Sequence, residues 1–214
     1  MPVGKITSSK RGTAAVATGA AAAIVSGWAY FTASQMPAAK PEMTPAIVHA
    51  AVTKGITPPA VDLAITNLIK PWEGFSNIAY QDSIGVWTIG WGETTLNGRP
   101  VRKGDYISLE DADKRLQVRV TRDYYLPLVD GVKDFVKAPD SVQASLTSGA
   151  YNFGVKLKSS AAQFVTKHQY RQACEAQTAY NRAGGKIWKG LVNRREMGDA
   201  QRIGEAELCV SGLK

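Results

Sequence analysis

Two carboxylates and a threonine occur close together in the 214-residue sequence, at Glu73, Asp82 and Thr88. Hydrolysis of a glycosidic bond needs a protonated carboxyl, which donates to the leaving oxygen. It also needs an ionised carboxylate, which activates water or stabilises positive charge on the sugar. Glu73 is flanked by the apolar side chains of Trp72 and Phe75, and apolar neighbours favour a protonated carboxyl. We therefore predict that Glu73 is the proton donor.

Asp82 and Thr88 suit the second part of this chemistry. Asp82 lies in the polar turn Gln81-Asp82-Ser83, where a carboxylate stays charged, and the hydroxyl of Thr88 is able to hold the attacking water. Each residue also has a structural interpretation: Glu73 as a solvated acid at a helix end, Asp82 as a turn former, and Thr88 as a strand residue. Their common spacing beside a glycine-rich strand favours the catalytic interpretation.

Other catalytic machineries are missing from the sequence. It contains no H-E-x-x-H, no G-x-S-x-G and no phosphate loop ending in G-K-[ST], and its two histidines, His49 and His168, are far apart. We therefore predict no metal site and no cofactor. The formal net charge of +8 suits an anionic partner. Because no stripe of basic and aromatic residues accompanies it, we expect no nucleic acid among the partners.

The surrounding elements predict an α+β fold with a small lobe, built on a short antiparallel sheet, and a larger helical lobe. A helix that begins at Thr57-Pro58-Pro59 has apolar residues at spacings of three and four and ends near Gly74. Residues 75–102 mix aromatic and β-branched side chains with glycine, which predicts the sheet and its tight turns. From the capping residue Ser108 the chain looks helical to its end, with Gly184-Gly185 separating two helices.

The N-terminal segment is basic and then uncharged. Residues 1–11 contain three basic side chains and no acid, and the next 28 residues carry no charge. Such a run is long enough to cross a bilayer, which takes ~20 helical residues, and its basic flank predicts an N-terminus that stays in the cytoplasm. The many alanines make residues 12–35 a weak membrane anchor. A cleavable signal peptide is the alternative.

These features predict three parts of the chain. Residues 1–35 are the membrane segment, residues 36–59 are a proline-rich linker with a short helix at Ala46–Lys54, and residues 60–214 are the catalytic domain. Export would place Cys174 and Cys209 in an oxidising compartment, where we expect them to form a disulfide. Two buried free thiols are the alternative.

The spacing of Glu73, Asp82 and Thr88 resembles that of the phage-type lysozymes, the endolysins of glycoside hydrolase family 24. The resemblance covers about residues 60–213. The further matching motifs are Trp72-Glu73-Gly74, Ala79-Tyr80, Gly85-Val86-Trp87-Thr88-Ile89-Gly90-Trp91-Gly92, Tyr151-Asn152-Phe153-Gly154 and Gly190-Leu191-Val192-Asn193-Arg194-Arg195-Glu196. Glu93 departs from the pattern, since many members have histidine there, and we expect this change to alter a structural ion pair.

The resemblance implies a lysozyme-like fold and a muramidase. Such an enzyme cuts the β-1,4 bond between N-acetylmuramic acid and N-acetylglucosamine in peptidoglycan, and the family is understood to invert the anomeric carbon. Glu73 is then the general acid, while Asp82 and Thr88 orient water on the opposite face of the sugar. Two alternatives remain open: an inactive, membrane-anchored wall-binding module, and a secreted bacterial autolysin with a cleaved signal peptide.

The weakly apolar N-terminus resembles the signal-arrest-release (SAR) segment of one subclass of these endolysins. This resemblance implies export by the host secretion machinery and attachment to the host inner membrane through residues 12–35, with the domain facing the periplasm. It also implies a soluble periplasmic enzyme after release, which we expect to be a monomer.

Overall fold

The computed structural model describes residues 1–25, 27–35, 42–82 and 84–213. Twelve α-helices are found in these residues: α1 (Lys10–Val25), α2 (Trp28–Gln35), α3 (Pro45–Thr53), α4 (Pro59–Ala64), α5 (Lys70–Glu73), α6 (Leu109–Arg119), α7 (Leu126–Gly131), α8 (Asp140–Phe153), α9 (Ser160–Thr166), α10 (Tyr170–Gln177), α11 (Lys189–Arg195) and α12 (Glu205–Ser211). Turns of π-helix, Ile65–Ile69 and Val120–Tyr125, join α4 to α5 and α6 to α7.

The strands form three two-stranded antiparallel sheets within the described residues. They are β1 (Ser76–Gln81) with β2 (Trp87–Gly90), β3 (Thr95–Leu96) with β4 (Arg99–Pro100), and β5 (Arg182–Ala183) with β6 (Lys186–Ile187). The first two sheets belong to a small lobe with its own apolar cluster, Ile89, Leu96, Val101, Ile107 and Ala112. The predicted α+β fold with a short-sheet lobe is confirmed.

The larger lobe is built around α8. Ten consecutive residues of this helix, 141–150, are buried, because α4, α10 and α12 pack around it. A helix that is buried on all sides must satisfy its polar side chains internally. Gln143 does so by accepting from the hydroxyl of Tyr125 at 2.8 Å and donating to the carbonyl of Ala138 at 2.7 Å.

The predicted helix starts agree with the structure. The hydroxyl of Thr44 accepts from the backbone N–H of Ile47 at 3.4 Å, and that of Ser108 accepts from Asp111 at 3.0 Å. Each hydroxyl satisfies one backbone donor that a helix leaves unpaired at its first turn. The short helix of the linker is thus α3, while residues 36–41 of the predicted linker lie outside the described residues.

The region around Gly184-Gly185 differs from the expectation of a simple break between helices. It is a hairpin, in which Ala183 pairs with Lys186 across the two glycines. Both glycines have positive φ, 56° and 77°. Two successive residues in the left-handed region make a tight turn that sends the chain back antiparallel to itself, so two short strands form there.

The N-terminal segment forms two helices rather than one continuous helix. Gly27, with φ of 78°, lies between α1 and α2 and turns the chain out of the helical path. Helix α1 packs against α4 and α12, and α2 packs against α3. Across the described residues, no helix combines the length and the apolar character that a membrane span requires.

A disulfide ties α10 to α12. It joins Cys174 to Cys209, with 5.7 Å between the Cα atoms, and both residues are fully buried. Closing a loop of 35 residues restricts the unfolded chain, which stabilises the fold by about 3–4 kcal/mol in the chain-entropy account. The disulfide therefore holds the C-terminal helix against the helical lobe.

Candidate active site

Glu73 is the last residue of α5, where the chain leaves the helical lobe for the sheet. Its side chain is 21% exposed, and its Oε1 accepts a hydrogen bond from Arg194 Nη1 at 2.8 Å. The Arg194 side chain is only 6% exposed, so this ion pair is shielded from bulk water. Charge-assisted hydrogen bonds of this kind fix the orientation of a carboxyl group.

The two aromatic residues that flank Glu73 in the sequence have other partners in the structure. The indole of Trp72 donates to the carbonyl of Ile203 at 2.9 Å, and the ring of Phe75 packs on Trp91 with centroids 5.1 Å apart. Each ring therefore has a partner other than the carboxyl of Glu73. The group that contacts the carboxyl of Glu73 is the guanidinium of Arg194.

Asp82 and Thr88 both form hydrogen bonds with the backbone of Val86. Asp82 Oδ1 accepts from the N–H groups of Ile84 and Val86, at 3.0 and 2.9 Å. The hydroxyl of Thr88 donates to the carbonyl of Val86 at 3.1 Å. These bonds hold Asp82 in the turn and Thr88 on β2; Ser83, part of the predicted turn, lies outside the described residues.

Glu73 lies at one end of the β1–β2 hairpin, and Asp82 lies in the turn at its other end. Glu73 comes before β1, close to the Ser76–Gly90 pair, while Asp82 follows β1 beyond the Gln81–Trp87 pair. Among the described residues, Glu73 makes no hydrogen bond to Asp82 or Thr88. Carboxyl groups that act on opposite faces of a sugar need space for substrate and water between them, and a direct contact would fill that space.

Tyr151, on α8, reaches the same region. Its hydroxyl donates to the carbonyl of Trp91 at 2.7 Å. A Cβ atom at Gly92 would lie 3.7 Å from both Tyr151 Oη and Glu73 Oε2. The turn after β2 therefore approaches both groups closely. Burial raises the pKa of Tyr151; the nearby Arg119 cation opposes this rise, and the Glu73 carboxylate adds to it. The phenol is therefore a neutral hydrogen-bond donor beside Glu73.

A buried carboxylate positions Arg194. Glu205, fully buried at the start of α12, is 3.5 Å from Arg194 Nε and forms an ion pair with Arg195 Nη1 at 2.5 Å. It also accepts from the hydroxyl of Ser148 at 2.7 Å. Neither Arg194 nor Glu205 was assigned a role from the sequence. The adjacent arginines were the only local signal, and nothing near them in the sequence identifies their partners.

Glu93 forms an ion pair with Arg115 of α6, at 3.1 Å. It is buried directly after the turn that follows β2. This carboxylate therefore connects the small lobe to α6, as a structural ion pair would.

The N-terminal segment contacts the loop that follows α11. The N–H groups of Val3 and Gly4 donate to the carboxylate of Glu196 at 2.6 and 2.8 Å. Arg11 donates to the carbonyls of Met197 and Asp199 at 2.8 and 2.6 Å. Glu196 directly follows the two adjacent arginines, so the segment packs beside the residues that hold Glu73.

The chain is similar to proteins of known family. The family model described as Phage lysozyme matches residues 70–198. The chain is 30% identical over 145 residues to the SAR-endolysin of Enterobacteria phage P21, which covers 65% of this chain and 78% of that protein. It is 37% identical over 137 residues to an endolysin of Bacillus phage B103, covering 61% of this chain and about half, 49%, of that longer protein.

Solved structures show the same fold. An endolysin from Escherichia coli O157:H7 phage FAHEc1 superposes with a TM-score of 0.59 at 28% identity, over 72% of this chain and 92% of that chain. The active form of P1 phage endolysin Lyz superposes with a TM-score of 0.57 at 21% identity, over 80% of this chain and 96% of that chain. At the latter identity, the likeness supports the fold alone.

Proposed function

Because this chain belongs to the phage lysozyme family, we propose that it is an endolysin that cuts the β-1,4 bond between N-acetylmuramic acid and N-acetylglucosamine in peptidoglycan. The family confirms the prediction of a lysozyme-type hydrolase. The observation that carries the proposal is Glu73, held by Arg194 at the end of α5, just before the hairpin of β1 and β2 that carries Asp82 in its turn and Thr88 on β2. All four of these residues lie within the span that the family model matches.

In the proposed mechanism, Glu73 donates a proton to the glycosidic oxygen. Asp82 and Thr88 orient a water molecule on the opposite face of the sugar, and the attack of this water inverts the anomeric carbon. Arg194 holds the carboxyl of Glu73 in place during the transfer. Backbone N–H groups orient Oδ1 of Asp82, so its position does not depend on another side chain.

Glu73→Gln tests the assignment. Glutamine keeps the shape of the side chain but cannot donate an acidic proton, so the purified variant should leave no clearing in a peptidoglycan gel. Glu110→Gln is the matched control, since Glu110 is exposed on α6 and forms an ion pair with Lys114 on the same helix. Clearing by a folded Glu73→Gln protein would contradict the catalytic role. Loss of clearing in both variants would show that the assay reports folding instead.

We also propose that residues 12–35 first hold the enzyme at the host inner membrane, facing the periplasm, and that release makes it soluble. Relatives named SAR-endolysin support this proposal. In this structure Arg11 is docked on the domain, which we assign to the released state. A side chain bound to the domain cannot at the same time remain on the cytoplasmic side of the membrane, so anchoring and docking are alternative states.

The membrane potential is the proposed trigger. Release carries Lys5, Lys10 and Arg11 outward against an inside-negative potential, which costs ~2.3 kcal/mol per charge per 100 mV, or about 7 kcal/mol for three charges. Collapse of the potential removes this cost. An uncoupler added to expressing cells should therefore bring lysis forward, whereas unchanged lysis times would contradict the trigger. The mass of the exported protein should match an intact N-terminus and not a cleaved signal peptide.

A further inference from the structure

A cavity of about 480 Å³ lies between the segment after β2 and the face of α6. Four basic and two acidic side chains line it, together with Thr94, Thr95 and Val118; the basic ones are Lys114, Arg115, Arg119 and Arg122. The volume is typical of a pocket for a small ligand. Its excess of cations favours an anionic group.

Three of the four cations are already paired with carboxylates. The pairs are Lys114–Glu110 at 2.6 Å, Arg115–Glu93 at 3.1 Å and Arg122–Asp123 at 2.6 Å. Arg119 differs from them. Within the part of the chain that the structure describes, no carboxylate lies within ion-pair distance of its guanidinium. Arg119 is therefore the cation of the cavity that makes no direct ion pair, although Glu93 attracts it electrostatically from a greater distance.

Two tyrosines hold Arg119 in place. The centre of its guanidinium lies 5.2 Å from the ring centroid of Tyr151 and 5.9 Å from that of Tyr124, and its Nη2 donates to the Tyr124 hydroxyl at 3.3 Å. Contacts with aromatic faces orient a planar guanidinium without neutralising it. Arg119 is also half-buried, so its charge is screened less than a fully exposed one.

Tyr151 connects this cavity to Glu73. The guanidinium of Arg119 lies over the ring of Tyr151. The hydroxyl of Tyr151 and Oε2 of Glu73 both lie close to Gly92. Glu93, the residue after Gly92, lines the cavity itself. A ligand in the cavity is therefore separated from the proposed proton donor by one aromatic side chain.

Peptidoglycan offers an anion at a suitable place. Its sugars are linked by neutral glycosidic bonds, but N-acetylmuramic acid carries a short peptide with free carboxylates. We infer that this cavity is a substrate subsite, in which Arg119 binds a carboxylate of that peptide through paired N–H···O bonds. The inference rests on the proposed function. It assigns Arg119 to substrate affinity and selectivity, not to cleavage of the bond.

The test compares three soluble substrates made from the same glycan fragments. The first carries its native peptides, the second has all carboxylates converted to methylamides, and the third is stripped of peptides and keeps only the lactyl carboxylate. Arg119→Gln is compared with wild type and with Arg182→Gln, a control that removes the same charge from an exposed position outside the cavity. Arg119→Lys keeps the charge but loses the planar fork, and thermal unfolding checks that every variant is folded.

Arg119→Gln should raise KM for the native fragments about tenfold or more, the loss expected for a charge-assisted hydrogen bond, while kcat stays within about twofold. It should leave the kinetics on methylamide fragments unchanged, and Arg119→Lys should recover part of the affinity. Arg182→Gln should behave like wild type. An unchanged KM for Arg119→Gln, or an equal fall in kcat on native and methylamide fragments, would overturn the subsite. An equal rise in KM on the stripped fragments would assign Arg119 to the lactyl group instead.

Calorimetric binding separates this inference from the proposed function. Native fragments are titrated into the Glu73→Gln variant, with and without Arg119→Gln. Binding that depends on Arg119, with no hydrolysis by wild type, would remove the proposed activity but keep the anion site. If wild type hydrolyses the fragments but their binding does not depend on Arg119, the proposed activity is kept and the anion site is removed.

Discussion

Arg11 forms a two-point ion pair with Glu207: its Nε lies 2.8 Å from Oε1 and its Nη2 lies 2.8 Å from Oε2. The Glu207 side chain is 2% exposed and belongs to the C-terminal helix, 196 residues away in the chain. A carboxylate this buried is strongly unfavourable without a cationic partner. The N-terminal segment is therefore part of the packed domain in this structure, not an appendage to it.

Arg11→Gln should lower the free energy of unfolding by about 2–4 kcal/mol, because it leaves Glu207 buried without its cation. Lys10→Gln is the matched control, since it removes the same charge from an exposed position next to it. Urea denaturation of the soluble, active protein measures both changes. Equal stabilities of the two variants would show that Glu207 does not depend on Arg11.

Arg194→Lys should reduce kcat by about 10- to 100-fold with little change in stability. Lysine keeps the positive charge but cannot contact both Glu73 and Glu205 as the guanidinium does, and small displacements of a catalytic group lower rates by about this amount. Arg182→Lys, on the exposed β5–β6 hairpin, is the control. Full activity of a folded Arg194→Lys enzyme would show that the proton donor needs only a nearby charge.

The first product of cleavage should be the α-anomer. The proposed mechanism places water on the face opposite the leaving oxygen, so a β-linked sugar is released with inverted configuration, and the two carboxyl groups should lie ~6.5–9.5 Å apart in a substrate complex. Proton NMR during the first minutes of hydrolysis, before mutarotation, distinguishes the anomers. A β-product would instead indicate a covalent intermediate and a shorter separation.

Asp62→Asn should stabilise the protein at neutral pH. Burial raises the pKa of Asp62 from 3.8 to about 6, so the folded state holds its proton more tightly than the unfolded state does. The stability of wild type therefore falls as pH rises from about 4 to about 6, and stays lower above that range. Thermal unfolding should show the variant to be more stable at about pH 7.5 but not at about pH 3.5. A constant difference at both pH values would show that ionisation of Asp62 is not the cause.

The local parts of the fold and of the site could be predicted because short-range physics decides them. The caps at Thr44 and Ser108 and the helix that ends before Gly74 follow from the orphan backbone groups of helix ends and from apolar periodicity. Glu73, Asp82 and Thr88 lie within sixteen consecutive residues of one helix end and one hairpin, so their spacing in the sequence is enough to propose a common role.

The partners of these residues could not be predicted, because packing alone brings them together. Arg194 is 121 residues from Glu73, and Tyr151 is 60 residues from the Trp91 carbonyl that it binds. Trp72 and Phe75 adjoin Glu73 in the sequence, but only the structure shows that the indole of Trp72 binds the carbonyl of Ile203 and that the ring of Phe75 packs on Trp91. Side-chain direction at a helix end depends on which surfaces are already occupied, and periodicity carries no such information.

The sequence determines some features of the N-terminal segment, and the tertiary structure decides the others. Its composition by itself determines a basic start followed by a weakly apolar run, which is compatible with a membrane anchor. Only the tertiary structure pairs Arg11 with Glu207 and the backbone of Val3 with Glu196. A buried carboxylate is stable only with a cationic partner, which can come from any part of the chain. Three-dimensional packing decides which cation lies close enough.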